Sequence, residues 1–191
     1  YTYLNLAAGT HVLQGKDALK FLRTRHGVGD GSDLSRISNQ QVFLTSLVRK
    51  VKSAGVLGNP IYLYSLASAA ARNMKLSESL TNVNVMVAMA GALKNVELDK
   101  MTFLQVPSRG GLPAPYSGRV APIYETANLI FDKLKNDEPV VLAEANGGQG
   151  AVVASPAPSA SPSPSASASP NASALPTGVL GTTADTKTCS N

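Results

Sequence analysis

Residues 23–41 read RTRHGVGDGSDLSRISNQQ, and they decide the local fold because helix-forming sequence stands on either side of a stretch that cannot be helical. Glycine occupies positions 27, 29 and 31, and each one raises backbone entropy and admits unusual dihedrals, so HGVGDGSD is expected to be a loop. Upstream, a helix is expected from about Asp17 to His26, with Ala18, Leu19 and Leu22 as its apolar stripe. Downstream, helix resumes near Ser35 and runs to about Ser53, with Asp33 or Ser35 as its N-cap.

Working outward, Tyr1 to Leu6 alternates like a half-buried strand, and MTFLQVP at 101–107 reads as a strand ended by proline. Further helices are expected at about 61–71, 80–93 and 123–134, with a glycine- and proline-rich excursion at 108–122 between strand and closing helix. Strands alternating with helices define an α/β class, and two strands are fewer than a stable sheet needs, so others are expected upstream of Tyr1. The chain opens on tyrosine and reads as a piece of a longer protein.

Past Leu142 the aromatic and long aliphatic residues thin out, and from Ala151 to Pro176 alanine, serine and proline dominate. Such a composition buries too little apolar surface to offset ordering entropy and suits a solvated spacer. The division expected is a working domain at residues 1–140 and a low-complexity, disordered tail at 141–191.

The net charge of +5 is uneven. Residues 16–52 carry eight basic and three acidic side chains, or +5 by themselves. A concentrated basic segment points to phosphate, carboxylate or an anionic polymer, against the alternative of a solvated helix face. The aromatics in it, Phe21 and Phe43, read as core, so base-stacking platforms are missing and nucleic acid is not an expected partner. Cys189 is the only cysteine, which removes disulfide frameworks and thiolate metal sites. His11 and His26 are too scattered for a histidine metal cluster and read as surface or turn residues.

Projected at about 100° per residue, the second helix gathers Ile37, Phe43, Leu44, Leu47, Val48 and Val51 into one apolar arc, and Arg36 and Gln40 fall on it. A guanidinium and an amide on an inward face are costly unless partnered. Either Arg36 pairs internally with Asp33 or Asp17 while Gln40 bonds the loop, or both face a cleft. In the second case a folded-back loop brings Arg23 and Arg25 beside Arg36 at a helix N-terminus. That set of planar donors suits a diphosphate. Asp30 and Asp33 are then placed to help hold Mg²⁺.

The segment GTHVLQGKDALKFLRTRHGVGDGSDLSRISNQQVFLTSLVRKV closely resembles the second half of the LytR-CpsA-Psr domain, in its actinobacterial form. The specific part is Arg-x-Arg on a helix, the DGSD loop, then Arg and Gln four apart. The likeness weakens through NPIYL and the later helices to about Val106. It implies an α/β/α layered domain with a mixed sheet, incomplete in this piece, and an apolar lipid cavity. It also implies an extracytoplasmic, membrane-anchored phosphotransferase that uses Mg²⁺ to move an anionic glycopolymer from a polyprenyl-diphosphate carrier to peptidoglycan. On matching positions, Arg23, Arg25, Arg36 and Gln40 would engage the diphosphate, Arg23, Arg25, Asp33 and Arg36 would be catalytic, and Leu44, Leu47 and Val48 would line the cavity. The main metal ligands and the membrane anchor would lie upstream of Tyr1. Asn39 departs from the pattern, standing where many relatives carry a basic residue. A non-catalytic binder of polyprenyl phosphates or wall polymer, and a hydrolase of the diphosphate carrier, remain as alternatives.

Overall fold

A computed structural model of the chain describes residues 2–144, 146–154 and 173–190. Five α-helices and three two-stranded antiparallel ladders make up its regular structure, a mixed α/β arrangement. The helices are α1 (Gly15–Arg23), α2 (Asp33–Ser53), α3 (Pro60–Asn73), α4 (Val83–Ala92) and α5 (Tyr124–Lys135). The strands are β1 (Thr102–Leu104), β2 (Ser108–Arg109), β3 (Ala121–Pro122), β4 (Ala151–Val153), β5 (Gly181–Thr183) and β6 (Thr188–Ser190). The helices fall close to the expected places and so does β1, while β2 and β3 lie in the stretch expected as an excursion and β4 to β6 in the stretch expected as a tail; the sheet takes the form of the separate pairs β1–β5, β2–β3 and β4–β6.

Three local expectations are corrected. Thr2 to Leu6 form no strand; the segment finds no partner strand among the described residues and is tied instead to the end of α1 by the Thr2 and Thr24 hydroxyls, 2.8 Å apart. The cap of α2 is Ser32, one residue before Asp33, because its hydroxyl accepts the Ser35 amide at 3.2 Å. The third concerns the rotation of α2. Its buried residues are Ser35, Ser38, Asn39, Gln41, Val42 and Thr45, whereas Ile37, Leu44 and Leu47 are 38 %, 42 % and 45 % exposed. The small polar face, spaced three and four apart, turns inward and the apolar arc turns outward.

The reason is what packs on that face. The GGQG turn at 147–150 crosses the start of α2 so closely that a Cβ at Gly150 would come within 2.9 Å of the Ser35 Cα. Only small side chains on the helix leave room for such an approach. Gln105, just past β1, secures the same place by donating from Nε2 to Ser38 Oγ at 2.6 Å and to the Leu34 carbonyl at 3.2 Å.

The end of the chain takes part in the core. Leu175 and Val179 pack with Ile130 of α5, and Leu104, Val140 and Leu142 close around them. Thr102 to Leu104 pair with Thr183 to Gly181, and Ala151 to Val153 pair with Ser190 to Thr188. Arg49 of α2 donates to the Ala184 and Thr186 carbonyls at 2.9 and 2.8 Å. The boundary expected near residue 140 thus coincides with no break in packing among the described residues, and the middle of the alanine-serine-proline stretch, 155–172, lies outside them.

Candidate functional site

α1 ends at Arg23 with the usual set of carbonyls lacking a helical partner. α2 supplies the partners: Asn39 Nδ2 donates to the Phe21 carbonyl at 2.8 Å, and Gln40 Nε2 to that of Leu22 at 3.1 Å. The Thr24 hydroxyl takes the Lys20 carbonyl at 2.8 Å. These bonds fix the exit direction of α1, and with it the two arginines that follow.

Between the helices, Gly27, Gly29 and Gly31 all have positive φ, at 81°, 50° and 74°. Val28 is buried among them and anchors the turn, which closes with the Gly31 amide on the Val28 carbonyl at 2.9 Å. Asp30 then accepts the Ser32 amide at 3.0 Å and the Ser35 hydroxyl. The Ser32 and Ser35 side chains, followed by the Ser32 amide, hold the Asp30 carboxyl down at about 2.

This folding brings two of the three expected arginines, Arg25 and Arg36, together around one carboxylate. Asp33 Oδ1 lies 3.2 Å from Arg25 Nη2 and 3.0 Å from Arg36 Nη2. Arg25 also lines a cleft of about 400 Å³ with Arg23, Thr24, His26 and the Thr2–Leu4 segment. Among the described residues Arg23 has no ion-pair partner, and Arg36 Nε is buried without a hydrogen bond. His26, read from sequence as an ordinary surface residue, shares the cleft; its place next to Arg25 in the chain was the available signal. The internal Arg36–Asp33 pair weighed at the sequence level is present, and Arg25 joins it.

Gln40 is not part of the arginine-lined cleft. Its amide nitrogen is committed to α1, and its side chain borders a second, larger cleft of about 650 Å³. Ile37 and Leu44 of α2 line that cleft opposite Phe103, Leu104, Ile130 and Leu134; Leu47 and Val48 are not part of the lining. The outward apolar arc of α2 is therefore partly the wall of a groove.

The carboxylates do not fit a Mg²⁺ site. Asp30 is occupied by hydrogen-bond donors and Asp33 by two guanidinium groups, whose charge opposes a further cation. No group of three or more metal-ligating acidic, histidine or cysteine side chains occurs among the described residues. No described helix is long and apolar enough to cross a membrane. Asn39, Ser32 and Gln105 are the contributors that sequence reasoning missed. Asn39 had a signal, since an amide replacing a basic residue suits a buried carbonyl partner better than a solvated one.

Fold and geometry together define a partial α/β domain whose first two helices meet at an arginine-lined cleft. The chain belongs to the LytR-CpsA-Psr family, whose model matches residues 2–136. It is similar to the cell wall biosynthesis protein LcpA of Corynebacterium glutamicum, 38 % identical over 103 residues, which are 54 % of this chain and 19 % of that protein. It is also similar to TagT of Bacillus subtilis, a polyisoprenyl-teichoic acid–peptidoglycan teichoic acid transferase, 32 % identical over 97 residues, 51 % of this chain and 28 % of that one. The chain thus spans about a fifth to a quarter of the length of these relatives. No solved structure matches it.

Proposed function

We propose that this chain carries the diphosphate-gripping part of an envelope phosphotransferase that moves an anionic glycopolymer from a polyprenyl-diphosphate carrier to peptidoglycan. The observation that supports it most is the convergence of Arg25 and Arg36 on Asp33, with Arg23 beside Arg25 in the cleft. Guanidinium groups bind phosphate oxygens bidentately and stay charged at any physiological pH. Arg23 and Arg25 would grip the diphosphate and, with Arg36, stabilise charge growing on the leaving phosphate as a sugar hydroxyl of peptidoglycan attacks. Asp33 keeps two like charges side by side until the substrate replaces part of its role. Gln40 would act on the arginines through its bond to α1 and, from its border with the larger cleft, would lie beside the lipid. Leu44, with Ile37, offers apolar wall to the polyprenyl chain.

The relatives' names support the cell wall setting, and an extracytoplasmic, membrane-anchored whole protein is part of the reading. A Mg²⁺ requirement belongs to it as a property of the whole protein, met by residues other than Asp30 and Asp33. In the full-length protein, Arg25→Ala and Arg36→Ala should each slow polymer attachment by about 10- to 100-fold, the cost of one lost charge-assisted contact. Attachment at the wild-type rate in both would sink the proposal. The commitment of both aspartates favours one rival, a binder of polyprenyl phosphates without turnover, which tight binding by the full-length protein with no product would select. Product formed without peptidoglycan would select a hydrolase.

A further inference from the structure

The GGQG turn and the strands beyond it lie past the stretch that the family model matches, residues 2–136, yet they touch both halves of the arginine site. On the loop side, a Cβ at Gly29 would stand 2.5 Å from the Gln149 carbonyl oxygen and 3.2 Å from the Gly150 Cα. On the helix side, a Cβ at Gly150 would meet the Ser35 backbone within 2.9 Å, and one at Gly148 would stand 3.2 Å from the Ser38 Cβ. These are approaches of backbone to backbone or to the stub of a short side chain, which glycine alone permits.

The turn is itself held on two sides. Ala151 is buried, and β4 pairs with β6. Asn146 donates from its backbone N–H to the Gly181 carbonyl at 3.1 Å and accepts the Gly181 amide on its side-chain Oδ1 at 3.0 Å. Arg49 ties the C-terminal part of α2 to the Ala184 and Thr186 carbonyls. The glycine loop that follows Arg25 and the start of α2, which carries Asp33 and Arg36, are thus held by α1 at Asn39 and Gln40 and by this later segment at Gly29, Ser35 and Ser38.

We propose that residues 146–154 and 175–190 form a brace that fixes the 27–31 loop against the first turn of α2, making Gly150 and Arg49 positioning residues for the arginine site. The consequence for ligand rests on the diphosphate reading above; the brace itself does not.

The test is amide hydrogen exchange on the 191-residue chain carrying Gly150→Ala, with Gly110→Ala, a position facing open space, as the control. Exchange at residues 28–39 should quicken about tenfold or more in Gly150→Ala, since the new methyl cannot be accommodated without separating the two backbones. α3, which packs on α4 instead, should keep its protection, a pattern that a global loss of stability does not give. Arg49→Gln, which loses only the far clamp, should give the same local pattern more weakly, and it decides the matter if Gly150→Ala does not fold. Unchanged exchange at 28–39, or loss in α3 to the same degree, overturns the brace. Titration with inorganic pyrophosphate is read alongside: affinity should fall in Gly150→Ala together with the loss of protection. A wild-type chain that does not take pyrophosphate contradicts the diphosphate reading and leaves the brace to be judged by exchange.

Discussion

Two aspartates three residues apart do different work. Asp33 is solvent-facing and sits between two guanidinium groups; an exposed pair of this kind adds little stability, so its value lies in holding like charges at a fixed spacing. Asp30 touches no cation and instead accepts from the residues that open α2, which lowers its carboxyl to about 2 from an ordinary 3.8. Because the folded value is the lower one, the support Asp30 gives is fully present above about 3.8 and is lost as the pH falls through about 2. Side-chain carbon shifts of Asp30 should therefore titrate near 2 in the native chain and move toward 3.8 in Ser35→Ala, where one donor is gone. An Asp30 midpoint near 3.8 in the native chain would contradict the network.

At the level of elements, the junction of α1 and α2 depends on Asn39 more than on any charge. It is fully buried, and its amide satisfies a carbonyl at the end of α1. Asn39→Ala should cost about 1 kcal/mol, the net value of one hydrogen bond, since the Phe21 carbonyl keeps the Thr24 amide at 3.2 Å, and Ser32→Ala about 1 kcal/mol for the lost cap. Urea denaturation measures both, and a change below about 0.3 kcal/mol in Asn39→Ala would mean that the Thr24 amide alone satisfies the Phe21 carbonyl. The helix–loop–helix order was legible in the sequence because three close glycines leave little choice of conformation. The inward face of α2 was not. Periodicity assigns burial to Ile37, Leu44 and Leu47, and only the close passage of Gly148 and Gly150, more than a hundred positions away, makes the serine face the better fit. The convergence of Arg25 and Arg36 was readable from the loop alone, whereas the commitment of Gln40 to the Leu22 carbonyl depends on how the two helices dock.

On the scale of the whole chain, composition misleads near the end. The alanine-serine-proline stretch hides two strands and two core residues behind it, since Leu175 and Val179 pack against Ile130. Removing residues 173–191 strips both from the core and should lower stability by about 3–6 kcal/mol, from the burial of two aliphatic side chains. A thermal melt of the truncated chain should broaden or fall sharply; an unchanged midpoint would return this segment to the status of a dispensable tail. One cleft is lined by arginine and the other largely by apolar residues, and Gln40 of the second donates to the Leu22 carbonyl, next in the chain to Arg23 of the first. Such an arrangement suits a ligand with a charged head and an apolar chain.

Whether Arg23, Arg25 and Arg36 form one diphosphate grip is tested most directly by backbone amide spectra recorded while inorganic pyrophosphate is added. Shifts should be confined to residues 23–36, saturate, and disappear in Arg23→Ala/Arg25→Ala. Shifts spread over Lys50, Lys94 and Lys100, or retained in that double variant, would contradict it.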